Sequence, residues 1–244
     1  MWDIKNNMKV NKLYSDNFNK NGYIIIKNFL SAKINNSFRN ALIYNYKTHL
    51  DKKINKKNIS QIITKYELEN NWDKLYYAFK KFSNSTQFKI VSNKLKKFIE
   101  LNFKKKNRLI NNALGLAIKK SNRTSYKWHQ EKPYYKNIST LHFQFPIMNS
   151  CTRRNGTMSV LSGSHKLGFI KKIKSDQLHK KSVYSYIPSN INVIAKKFSE
   201  KFIYMKLGDL VMFDENVIHK SNINSTNKIR FVGIIRHQLL RDLI

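Results

Sequence analysis

Residues 208–231 read GDLVMFDENVIHKSNINSTNKIRF. Three short apolar runs, LVMF, NVIHKSNI and KIRF, are broken by polar turn residues, and none is long enough to make a helix. The same rhythm holds upstream from about residue 110. LGLAIKK, TSYKWHQ, STLHFQFPIM, GTMSVLSGSH and KFIYMKLGDLVMF are short, often alternating, and separated by turns, and KIRFVGIIRHQL follows the last one. No helical pattern separates these strands, which argues against a doubly wound parallel sheet.

Nearer the N-terminus the period changes. NGYIIIKNFL (21–30) reads as a turn and a short β-branched strand, and Ser31 is placed to cap a helix through AKINNSFRNALIYNYKTHL. Residues 51–70 are polar and read as loop and short helix, while NWDKLYYAFKKFSNS and FKIVSNKLKKFIELNF carry apolar residues at helical spacing. The expected fold is mainly β with N-terminal helices: a double-stranded β-helix (jelly-roll, cupin-like) barrel braced by α-helices. One domain over 1–244 is expected, with the helical layer mainly at 31–105 and the jelly-roll core at about 110–240.

Lys and Arg number 47 against 14 Asp and Glu, a net charge of +33. Such a field attracts anions, although the lysines are spread along the chain with abundant Asn and Ile, as compositional drift would leave them. With 41% hydrophobic and 13% aromatic residues the chain has material for a core. One cysteine, Cys151, excludes an intrachain disulfide. No apolar run approaches the roughly 20 residues of a membrane span, and the start MWDIKNNMKV lacks a secretory h-region. A cytoplasmic location is the expectation.

In so basic a chain a carboxylate stands out, and SYKWHQEKPYY (125–135) sets Glu131 two residues after His129. On an extended segment the two share a face, with Gln130 turned away. His219 in VIHKS supplies a third ligand from a later strand. Two imidazoles and one carboxylate form the facial triad of non-haem Fe(II) oxygenases, with three positions left open. Arg230 follows His219 by eleven residues, across the turn NSTNK. An antiparallel return of that length brings its planar fork back beside the pocket, where it can hold a carboxylate such as the distal one of 2-oxoglutarate. Ser221, two residues after His219, adds a hydroxyl on the same face.

With these residues in view, the sequence resembles the phytanoyl-CoA dioxygenase family of Fe(II)/2-oxoglutarate oxygenases. FNKNGYIIIKNFLS looks like its opening strand, WHQEKPYY like its first metal motif, NGTMSVLSGSHKLG like the segment that follows, and GDLVMFDENVIHKSNINSTNKIR like its closing His and Arg motif. The resemblance covers about residues 14–238. It implies that His129, Glu131 and His219 bind iron and that Arg230 and Ser221 bind 2-oxoglutarate, with O2 as the oxidant. Glu131 stands where the family usually has Asp. Related halogenases have a small residue there, so a carboxylate implies hydroxylation. Gln144 stands where STLHFQFPI often has an aromatic. Period 2 puts His142 and Gln144 on one face and Leu141, Phe143 and Phe145 on the other. Gln144 is therefore expected to touch 2-oxoglutarate or substrate, and His142 is read as a polar neighbour, not a fourth ligand.

His165 is expected to organise its loop, and His179 and His237 to be peripheral. Cys151 has no His/Asn pattern of a thiol nucleophile, and SGSHKLG is not a phosphate loop. The expected activity is hydroxylation of a small, anionic metabolite with release of succinate and CO2. The lysines of KKIKSDQLHKKSVY and KPYYK at the barrel mouth would favour that charge. The alternative is a catalytically inactive, basic nucleic-acid-binding protein on the same barrel, suggested by the charge and by KLYYAFKKF. Against it, no helix-turn-helix, zinc-finger or RNP-type motif is visible.

Overall fold

The computed structural model describes residues 12–119, 121, 126–135, 137–174 and 186–240. Helices come first: α1 (Lys12–Asn21), then, after strand β1 (Tyr23–Ile26), α2 (Ala32–His49), α3 (Ile59–Leu68), α4 (Trp72–Ser83) and α5 (Thr86–Phe103). The strands β2 (Asn107–Ala117), β3 (Ser139–Pro146), β4 (Met158–Leu161), β5 (Lys172–Lys174), β6 (Tyr186–Pro188), β7 (Glu200–Phe202), β8 (Leu210–Asp214), β9 (His219–Ser221) and β10 (Arg230–Leu239) follow, interrupted by the short helix α6 (Ile191–Lys197). Five strands form one sheet in the order β1-β8-β3-β10-β2, three form a second in the order β7-β4-β9, and β5 pairs with β6. Every pairing is antiparallel. Mostly β, antiparallel and braced by helices, this is the jelly-roll class expected.

Alternation along the large sheet sorts its side chains between two environments. Leu141, Phe143 and Phe145 of β3, Leu210 and Met212 of β8, and Phe231 and Ile235 of β10 join the core under the helices. Val211 and Phe213 of β8 and Val232 of β10 turn the other way, into a second core with Met158 and Val160 of the small sheet. His142 and Gln144 have the parity of that inner face, and so do Arg230 and Arg236. The helical side is an aromatic cluster, with the Phe38 ring 5.0 Å from Phe145 and 5.1 Å from Phe88. Truncating such a buried Phe typically costs about 3–5 kcal/mol. Gly233 lies opposite Phe145 in register, and a Cβ there would meet the Phe145 ring at 2.3 Å. The strand needs glycine at that point so that the ring can lie over its backbone.

Ser31 caps α2 as expected, accepting from Ile34 N at 3.4 Å. The Gly-Asp turn before β8 is pinned from both sides. Gly208 has φ +99° and its carbonyl accepts from Leu30 N at 2.9 Å. The Asp209 carboxylate accepts from Lys27 Nζ (2.8 Å), Asn28 N (3.1 Å) and Lys206 N (2.9 Å).

Several expectations change. The helical layer begins before residue 31, with α1, where the polar run KLYSDNFNKN is held by one buried side chain, Phe18, packed 5.5 Å from Phe103. Of TSYKWHQ, residues 124 and 125 lie outside the described residues, and the rest is not a strand: His129 makes a single bridge to His219. His237 is not peripheral. It is 1% exposed and meets Ser92 Oγ at 3.0 Å and Asn107 Oδ1 at 2.6 Å, because its parity on β10 turns it toward α5. His179 and most of KKIKSDQLHKKSVY lie outside the described residues. Among the described residues, no helix is long and apolar enough to cross a membrane.

Candidate metal centre

His129 and His219 face each other across an antiparallel bridge, with His129 N donating to His219 O at 2.9 Å and His219 N to His129 O at 3.0 Å. Directly opposed residues of such a pair project to the same side, and the two rings sit 4.1 Å apart between centroids. The other ring nitrogens fix the tautomers. His129 Nδ1 lies 2.7 Å from Lys127 O and His219 Nδ1 lies 3.0 Å from Val217 O. A carbonyl only accepts, so each Nδ1 carries the hydrogen and each Nε2 keeps its lone pair for a ligand role.

Glu131 arrives differently from the expectation. Its backbone is helical (φ −82°, ψ −25°) at the start of a short 3-10 turn, Lys132–Tyr134, and its N–H donates to Glu215 O at 2.9 Å. The carboxylate nevertheless returns to the histidines: Oε1 is 4.0 Å from His129 Nε2 and 3.6 Å from His219 Nε2. All three ligand atoms fall within 4.8 Å of one another, and all three residues are buried. Gln130 turns away, as expected, and staples the rim: its amide nitrogen donates to Gly168 O (2.8 Å) and Asn216 O (2.7 Å), and its oxygen accepts from Ile170 N (3.0 Å).

The electrostatics suit a cation. Burial, reinforced by His219, depresses His129 to about 3, so its imidazole is neutral at physiological pH. Burial alone would raise Glu131, but the Arg236 guanidinium, with help from His142 and His219, holds it well below the ordinary carboxylate range. Arg236 Nε lies 3.8 Å from Glu131 Oε2, while its Nη1 donates to Asn111 Oδ1 at 3.2 Å. Two imidazoles with Nε2 turned inward and an ionised carboxylate are the donor set of a facial triad, so these residues fit the metal their pattern implies.

His142 is fully buried, with Nε2 2.8 Å from Thr140 Oγ1 and its ring stacked on Phe213. It stays outside the cage, as expected, although its Nδ1 comes to 3.9 Å from Glu131 Oε2. Arg230 opens β10 on the inner face, 3% exposed, beside the Cys151 thiol. Gln144 is on the same face, opposite Val211 and Ile234. Ser221 ends β9, and its N–H donates to Tyr126 O at 3.0 Å. His165 does organise a loop, with Nε2 3.1 Å from Asn19 O. Sequence reasoning missed Arg236, for which the available signal was its even spacing from Arg230 along an alternating strand.

Solved structures share this fold. EvdO2 from Micromonospora carbonacea var. aurantiaca, complexed with 2-oxoglutarate, superposes with a TM-score of 0.64 at 13% identity, over 97% of this chain and 94% of that one. The epimerase SnoN, in complex with Fe3+, alpha ketoglutarate and nogalamycin RO, gives 0.63 at 11% identity, over 93% and 82%. EctD from S. alaskensis with bound Fe gives 0.60 at 15%, over 98% and 79%. At such identities the likeness is one of fold. No curated protein matches the chain by sequence. Residues 18–232 match the family model described as phytanoyl-CoA dioxygenase (PhyH), and the chain belongs to that family.

Proposed function

We propose that this 2-oxoglutarate-dependent dioxygenase holds Fe(II) on His129, Glu131 and His219 and hydroxylates a small anionic metabolite, with release of succinate and CO2. The observation that carries the reading is the buried cage of two tautomer-fixed imidazoles and one ionised carboxylate. Iron bound there supplies oxygen activation coupled to the oxidative decarboxylation of 2-oxoglutarate, one oxygen atom going to succinate and one to the product.

The chain's own groups position and protect. Arg230 is the candidate anchor for the distal carboxylate of 2-oxoglutarate: it is buried, its Nε has no hydrogen-bond partner among the described residues, and a planar fork suits a carboxylate. Ile234 lies four positions further along β10, roughly 13 Å of strand. Gln144 and Ser221 are the candidate polar contacts for the cosubstrate. Val211, Phe213 and Val232 line the same interior with apolar surface that excludes water from the reacting groups.

The anionic character of the substrate rests on the net charge of +33. Two cations next to candidate ligands in sequence do not contribute freely: Lys132 is paired with Glu215 at 2.9 Å, and Lys220 with Glu200 at 2.9 Å. The test is succinate formation from 2-oxoglutarate with Fe(II) and ascorbate, screened over acyl-CoAs, nucleotide sugars and free amino acids. Stimulation by anionic compounds is expected. Stimulation by neutral compounds alone would remove the charge assignment and leave the iron chemistry standing, and a folded protein that binds neither iron nor 2-oxoglutarate would remove both.

A further inference from the structure

A chain of buried polar groups runs from the protein surface to the carboxylate of the cage. Glu215 Oε1 accepts from Lys132 Nζ at 2.9 Å. Its Oε2 accepts from Thr140 N at 3.0 Å and lies 2.8 Å from Thr140 Oγ1. Thr140 Oγ1 in turn lies 2.8 Å from His142 Nε2. Beyond the imidazole, His142 Nδ1 is buried without a hydrogen-bond partner among the described residues, 3.9 Å from Glu131 Oε2.

The hydrogens of this chain have one consistent direction. Glu215, ion-paired with Lys132, is an acceptor only. Thr140 has a single hydroxyl hydrogen, and it goes to Glu215. The oxygen of Thr140 must then accept from His142, which places the imidazole hydrogen on Nε2. His142 therefore presents a bare lone pair at Nδ1, and that lone pair faces a second acceptor, Glu131 Oε2. At 3.9 Å the two cannot bond to each other. One donor with two hydrogens, a buried water molecule, satisfies both.

We propose that Glu215, Thr140 and His142 form a hydrogen-bond relay of fixed polarity that ends on Glu131 through a shared water, making His142 a positioning residue for that carboxylate. The relay restrains Oε2 from one side while Arg236 restrains it from the other, which leaves Oε1 turned toward the histidines. The longer Glu side chain, with one more torsion than Asp, is where such restraint has most to do. This inference rests on the reading of the cage as an iron site, and its test separates the two.

Nitrogen-15 NMR of histidine-labelled protein loaded with Zn(II), a diamagnetic stand-in for iron, should show His142 protonated at Nε2, with an unprotonated Nδ1 that is not metal-shifted. Thr140→Val should convert this to a mixture of tautomers. In metal titrations, His142→Leu should weaken binding by about 10-fold, the usual scale for a group behind a ligand. His142→Asn, which keeps an acceptor near the Nδ1 position, should restore most of that loss. A hydrogen on Nδ1, a metal-shifted Nδ1, or equal affinities of the Leu and Asn variants would each overturn the relay. Absence of metal binding in the wild-type protein would instead remove the iron reading.

Discussion

His129 and His219 are bridge partners whose backbones exchange two hydrogen bonds and whose rings sit 4.1 Å apart. Ninety residues of chain separate them, yet antiparallel pairing leaves their side chains no choice of face. The candidate metal site is thus a consequence of sheet closure: the element that closes the small sheet's rim also sets two candidate ligands side by side.

Because the pairing is made by backbone atoms, His129→Ala or His219→Ala should remove bound metal while keeping the sheet. Metal content measured against circular dichroism and thermal midpoint tests this. Loss of metal with an intact fold is expected, and metal retained at wild-type stoichiometry in either variant would exclude that residue as a ligand.

Arg230→Ala should weaken 2-oxoglutarate binding by about 2–5 kcal/mol, the range for truncating one partner of a buried, hydrogen-bonded charge pair. Iron affinity should change little, since the cage does not include this residue. Arg230→Lys should recover only part of the loss, because an ammonium lacks the two parallel donors of the guanidinium. Calorimetric titration of the metal-loaded protein reads both, and unchanged cosubstrate affinity in Arg230→Ala would place the anchor elsewhere.

What could be read in the sequence was parity. Phe143 and Phe145 against His142 and Gln144 sort correctly because the large sheet has a different partner on each face and the strand alternates to match. The His-x-Glu pair was found for a partly mistaken reason. One bridge residue followed by a 3-10 turn brings Glu131 to the histidines, where an extended strand was expected. Tertiary pairing was hidden. Arg236 was missed, and no local pattern says that the Glu131 carboxylate would lie 3.8 Å from it. His237 was expected to be peripheral, because nothing in its local sequence announced Ser92 and Asn107, which receive it under the helices. The polar helix α1 escaped notice because only Phe18 of its residues is buried, with Tyr14 half-buried against Phe98.

Arg236→Leu should separate stability from metal binding. Glu131 is 5% exposed, and without the guanidinium its charge is left buried. Breaking a buried pair from one side typically costs about 3–5 kcal/mol, so the metal-free variant should be destabilised on that scale. A bound divalent cation would supply the missing charge and would no longer be repelled by the arginine. The metal-induced rise in thermal midpoint should therefore be larger in Arg236→Leu than in the wild type. An equal or smaller rise would show that Arg236 does not act through the Glu131 charge.

His237 gives a pH dependence that is independent of the metal. Its pKa is depressed to about 4, chiefly by burial and secondarily by Lys96. In the unfolded chain the same imidazole titrates near 6.5. Between these values the unfolded state holds a proton that the folded state lacks, so stability rises with pH across that window. Above pH 6.5 the contribution is fully present. It is lost progressively as pH falls from 6.5 toward 4, and by pH 5 the loss reaches about 2 kcal/mol at one proton per unit of pH. Urea unfolding at pH 7 and pH 5 should show this loss in the wild-type protein. His237→Gln keeps a polar group for Ser92 and Asn107 but does not titrate, so it should be less stable at pH 7 and lose less on acidification. If the variant lost as much stability between pH 7 and pH 5 as the wild type, the acid sensitivity would belong to other groups.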